Sequence, residues 1–183
     1  MASETNTAVT FLRDCEVALV PTGETGIIHK GSEGEITQAL GGSYTVNLWA
    51  SLFRIDGSNA DAIGREPDPP PTLPECATDQ DVEKTVWDQL RLCYDPEIPV
   101  NVVELGLVYE CDIKKLAEDR RHVYIRMTLT APSCGMGDIL AYDVKTKVSR
   151  VPTVEEAEIE IVLEPPWTQD MMSEAAQLET GLL

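Results

Sequence analysis

Five cysteines, two histidines and the two acids of a proline-held turn are the residues from which this chain could build chemistry. Of Cys15, Cys76, Cys93, Cys111 and Cys134, only Cys134 sits in a setting suited to reactivity. Its stretch, Thr130-Ala131-Pro132-Ser133-Cys134-Gly135-Met136-Gly137-Asp138, joins a predicted strand to a predicted helix. Pro132 stiffens the approach, and the two glycines let backbone come close to another group. Cys134 falls at or just before the first helical turn, where unpaired N–H groups and the positive end of the helix dipole favour a thiolate. The same loop is equally compatible with a buried, inert thiol. Asp95 and Glu97 lie two residues apart in a turn held by Pro96 and Pro99. They read either as a fixed pair of oxygen ligands or acceptors, or as the solvated acids of an Asp–Pro turn.

Catalysis by a nucleophilic thiol needs a base within hydrogen-bond reach. The two histidines read otherwise, His29 as a surface-turn residue and His122 as an exposed strand end, and neither is near Cys134 in sequence. An enzyme is therefore not expected. There is no CxxC and no His–Cys cluster, so local sequence cannot supply a conventional four-ligand zinc or iron–sulfur site from one chain.

Composition narrows the partners. Thirty-two acids against fourteen Lys and Arg give a formal net charge of −18. Nucleic-acid binding requires a concentrated basic face, and anionic membranes are disfavoured on the same grounds. The first residues lack the basic and apolar regions of a secretion signal, and no apolar run is long enough to span a bilayer. An odd number of cysteines without close pairs points to a reducing cytoplasm.

Three regions position these residues. Residues 1–55 read as a small β-rich module, with strands over 15–20, 35–40, 43–49 and 52–55 separated by turn signals. Residues 56–77 read as a proline-rich spacer. Residues 78–183 read as helix, strand, strand, helix, strand, helix, making the chain α+β. The first helix is expected from Thr78 to about Cys93, with Thr78 and Asp81 as a capping box and Val82, Val86, Leu90 and Cys93 on its buried face. Residues 114–121 read as a hairpin connection, and the second helix as running to about Arg150 with Leu140, Val144 and Val148 facing inward. A third strand is expected over 157–164, then a short helix with Met171, Ala175 and Leu178 on one face. From Glu155 onward there are eight acids and no Lys or Arg.

Residues 95–101, 105–109, 127–134 and 164–168 occur in the order found in the metal–sulfur cluster assembly domain of PaaD-like proteins. From about Asp79 onward the chain resembles that domain, whose fold is similar to the C-terminal domain of NifU-type scaffolds. Residues 14–16, 36–43 and 93–97 resemble the two-domain SufT-type assembly proteins. The resemblance implies a maturation factor that helps transfer iron–sulfur clusters to client apoproteins, working with scaffold or carrier proteins. It also implies Cys134 as the reactive, metal-ligating residue and Asp95 with Glu97 as the acidic turn of the cluster site. Glu104 stands where relatives often carry Asp, and Gly135 where many single-domain relatives carry proline. One cysteine cannot complete a cluster's ligand set, so any iron–sulfur cluster is expected to be held transiently, across a homodimer or with ligands from a donor or client. An adaptor that docks clients through its acidic surface and Trp167, without binding metal, is the alternative.

Overall fold

The computed structural model describes residues 6–95, 98–117, 119–131 and 135–181. It comprises two compact units, Met1–Pro70 and Pro71–Leu183.

The first unit holds six antiparallel strands: β1 (Thr7–Thr10), β2 (Cys15–Val20), β3 (Thr25–Ile28), β4 (Glu33–Leu40), β5 (Ser43–Leu48) and β6 (Ser51–Ile55). Their order in the sheet is β1-β4-β5-β6-β2-β3. β1 and β3 join the strands legible in the sequence. Alternation along the strands sends Val17, Ile28, Ile36, Val46 and Ile55 inward, all at most 1 % exposed, to form the core with Phe11. Residues 57–63, expected to be spacer, instead form a 3-10 helix that adds Ala62 and Ile63 to this core. Asp56 starts it by accepting a hydrogen bond from the Ser58 N–H at 2.9 Å.

The second unit is a two-layer α/β arrangement. It contains α1 (Asp79–Leu90), β7 (Val108–Ala117), β8 (Arg120–Met127), α2 (Gly137–Ser149), β9 (Val154–Ile161) and α3 (Glu174–Thr180). β7 and β8 pair antiparallel, and β9 returns parallel to β8 after the α2 crossover. Thr78 caps α1 in the expected box with Asp81. The helix ends at Leu90, and Cys93 is fully buried just beyond it. Val82, Val86 and Leu90 of α1, Val123, Ile125 and Met127 of β8, and Leu140, Val144 and Val148 of α2 share one core.

The opposite sheet face is polar in every row. Glu110, Arg126 and Glu160 form one cross-strand row, Asp112, Tyr124 and Glu158 the next, and Lys114, His122 and Glu156 the third. His122 is therefore a mid-sheet residue and not an exposed strand end: its side chain is 20 % exposed, with Nε2 3.4 Å from Glu158. Residues 114–121 are mostly strand, because charged side chains on a solvated face leave the ladder intact. The third strand begins and ends three residues earlier than its expected span of 157–164. Among the described residues no helix is long and apolar enough to cross a membrane.

After β9 the chain makes a short 3-10 turn, Gln169–Met171, and then restarts as α3 under a Ser173 cap. This break shifts the helical phase by one residue. Met172 and Ala176 are buried, while Met171 and Leu178, expected on the inner face, are 36 % and 67 % exposed.

Candidate functional site

The acidic turn is closed by its own flanks. The Asp95 N–H donates to the Val100 carbonyl at 3.1 Å, and the Val102 N–H to the Cys93 carbonyl at 2.9 Å. Tyr94 and Asn101 form a bridge between these segments. Asn101 then uses its side-chain oxygen to accept from the N–H groups of Val103 and Glu104 at 3.1 and 3.0 Å. That bond pattern stabilises the tight bend leading to β7. A cleft of about 140 Å³ opens beside this turn, with Tyr94, Pro99, Asn101 and Glu104 on one side and Ala175 and Glu179 of α3 on the other.

Asp95 is 5 % exposed and not a solvated turn acid. One carboxylate oxygen accepts from the Ile98 N–H at 2.9 Å, and the other from the Thr130 hydroxyl at 3.3 Å. Thr130 lies beyond the end of β8, four residues before Cys134 in sequence. The fold thus ties the acidic turn to the approach of the cysteine loop across 35 residues of chain. Cys134 and Glu97 lie outside the described residues. On the far side of the loop, Gly135 has φ +60 and is exposed, and α2 begins at Gly137. Proline, fixed near −65°, cannot take that conformation. Thr130 is the member of this group that motif reading did not single out. The available signal was a hydroxyl just past a strand end, and that signal is weak without knowledge of its acidic partner.

The C-terminal segment packs on the same bend. The Trp167 indole N–H donates to the Leu105 carbonyl at 2.7 Å, Tyr109 Oη to the Pro165 carbonyl at 2.8 Å, and the Ser173 N–H to the Glu104 carbonyl at 2.9 Å. Trp167 is thus a structural clamp, with its polar atom engaged inside the unit.

Three of the other thiols are poorly available as ligands. Cys93 is fully buried, its Sγ 3.6 Å from the Gln89 carbonyl. Burial pushes the Cys15 thiol up to about 11. Burial, reinforced by Glu83 and Asp112, does the same to Cys111, also to about 11. Cys76 is exposed. Among the described residues no three His, Cys, Asp or Glu side chains gather into a metal-holding group. His29 meets Asp14 at 3.2 Å on the exposed surface of the first unit.

These environments predict a labelling pattern. Brief iodoacetamide treatment at pH 8 followed by mass-spectrometric mapping should find Cys76 modified and Cys15, Cys93 and Cys111 untouched until denaturant is added. For Cys15 and Cys111 the fold favours the protonated form. Their stabilisation is complete below the ordinary thiol range near 9.0 and is lost as pH rises toward about 11. Ready labelling of either in the native protein would show that water reaches it.

A family described as iron-sulfur cluster assembly protein matches residues 83–161, a span that includes Asp95, Thr130 and Cys134. The Porphyromonas gingivalis "Fe-S protein maturation auxiliary factor" is 46 % identical over 101 residues, covering 55 % of this chain and 92 % of that protein. The Staphylococcus aureus "Fe-S protein maturation auxiliary factor SufT" is 39 % identical over 88 residues, covering 48 % of this chain and 96 % of that protein. The crystal structure of a domain of unknown function from Bacillus anthracis aligns with a TM-score of 0.51 at 34 % identity, covering 57 % of this chain and 95 % of that one.

Proposed function

This chain belongs to the iron–sulfur cluster assembly protein family, and on that premise we propose that it is a maturation factor that helps transfer clusters to client apoproteins. In this reading Cys134 ligates the cluster transiently, and the turn carrying Asp95 and Glu97 flanks it. The cluster is cargo, taken from a scaffold or carrier protein and given up to a client. The remaining ligands come from a second copy of the chain or from the donor or client.

The observation that carries the reading is the hydrogen bond from Thr130 to buried Asp95. It couples the acidic turn to the strand end that leads into Cys134. Thiolate is a soft ligand suited to iron, and a position just before a helix start favours its ionised form. The poor availability of Cys15, Cys93 and Cys111 leaves Cys134 and the exposed Cys76 as candidate ligands, and of these two only Cys134 lies within the matched residues 83–161.

Anaerobic addition of iron and sulfide tests the assignment. The wild type is expected to acquire a cluster chromophore that Cys134→Ser fails to acquire, and cells carrying Cys134→Ser should hold client enzymes with reduced cluster occupancy. Asp95→Ala should weaken acquisition without abolishing it, because it removes the tether and leaves the sulfur. Equal acquisition by wild type and Cys134→Ser would sink the ligation. Normal client occupancy in the same cells would favour an adaptor that binds clients without using the thiol.

A further inference from the structure

We propose that the open edge of β9, together with the groove between it and α2, receives an extended, basic segment of a partner protein as an added strand. This docking makes no use of Cys134 and is independent of cluster ligation. β9 ends its sheet, with β8 on one side and no described strand on the other. Just past β9 the Val162 N–H donates to the Met127 carbonyl at 2.8 Å, which fixes the phase of the ladder. Alternation along a parallel pair then turns the N–H and C=O groups of Ala157, Ile159 and Ile161 away from β8. A groove of about 310 Å³ runs beside them, walled by residues 156–159 and by Asp138, Ala141, Tyr142 and Lys145 of α2. Four consecutive strand residues line it although their side chains alternate between faces, so the groove meets β9 along its edge. Outward-facing backbone groups beside an open groove are a template for another strand.

Charge selects the incoming strand. The strands at the ends of the two sheets are β1 and β3 in the first unit, β7 and β9 in the second. β1 and β3 carry no charged residue, and β7 balances Glu110 and Asp112 with Lys114 and Lys115. β9 carries Glu155, Glu156, Glu158 and Glu160, all exposed, and no Lys or Arg. Glu156, Glu158 and Glu160 alternate along its outer face, beside the positions that side chains of an added strand would take. Arg126, in the row with Glu160, is 3.3 Å from Glu110 on the far strand. The α2 wall sets Asp138 against Lys145, so β9 decides the sign of the groove. A strand with Lys or Arg at alternate positions brings each cation beside a glutamate, while small apolar residues between them face Ala141 and Ile159. Charges on an edge also discourage chance pairing. Here a single sign makes that exclusion selective, repelling acidic strands and admitting basic ones. A second copy of the chain, with its formal net charge of −18, is among those repelled.

Binding of a fluorescent nonapeptide of alternating lysine and valine to the full chain, followed by anisotropy, tests the site. Glu156→Gln/Glu158→Gln/Glu160→Gln changes only exposed side chains, so it should melt at or above the wild-type temperature. Its affinity for the peptide should fall about tenfold. The same peptide N-methylated at every residue keeps its charge and loses its backbone donors, and should bind the wild type about tenfold more weakly. Hydrogen exchange followed by NMR should find the Ala157 and Ile159 amides slowed by the unmodified peptide. Affinity within about twofold of the parent pair, for either the triple variant or the methylated peptide, would overturn the proposal, because general attraction to an acidic chain would then account for binding. Failure of the wild type to bind the peptide, or slowing confined to amides of β1, β3 or β7, would overturn it too.

Discussion

Lys147→Ala is expected to destabilise the Pro71–Leu183 unit by about 3–5 kcal/mol. Lys147 Nζ lies 2.9 Å from Asp143 Oδ1, one turn earlier in α2, and the two side chains are 2 % and 5 % exposed. Removing the ammonium takes this 2.9 Å ion pair from a carboxylate held inside the fold, and Asp143→Ala takes it from the ammonium. Replacing both, as Asp143→Leu/Lys147→Met, substitutes packed hydrocarbon for the pair and should be near neutral or stabilising. Urea unfolding followed by circular dichroism separates these cases. A cost below about 1 kcal/mol for either single variant would mean that water solvates the survivor.

Gly106→Ala should cost about 2–5 kcal/mol. Gly106 has φ +68, and a Cβ there would lie 2.2 Å from the Met171 carbonyl oxygen. Both the conformation and the collision involve backbone, so no side-chain rotation relieves them. The neighbouring carbonyls of Glu104 and Leu105 receive the hydrogen bonds from Ser173 and Trp167. Displacing Met171 should therefore loosen the segment that carries Trp167, seen as a red shift in tryptophan emission together with a lower unfolding midpoint. A variant that unfolds at the wild-type midpoint would show that this segment can move aside freely.

The features legible in the sequence are local. Alternation in Ser43–Leu48 gives a strand, and Thr78 with Asp81 gives a helix start, because each pattern is complete within a few residues. The motif around Asp95 marks a turn for the same reason. Asp95 reaching Thr130 is a different kind of fact, since only the assembled sheet brings the ends of a 35-residue separation together. Residues 57–63 read as spacer because Gly, Ser, Asn and Asp resemble loop composition, yet two apolar residues at their end suffice to dock the segment. The i,i+4 spacing of Asp143 and Lys147 is visible in the sequence, but burial of the pair is not, because hydropathy assigns both to solvent. Periodicity alone misplaces the phase of the last helix, because the Ser173 restart is hidden by the apolar residues before it.

The carboxylate rows on the outer sheet face have a consequence for self-association. β9 is an edge strand carrying Glu155, Glu156, Glu158 and Glu160. Two copies meeting edge to edge along β9 would set ionised glutamates opposite one another. Fibril growth by strand addition therefore finds no foothold there while those groups are charged, and any pairing of two copies must use another surface.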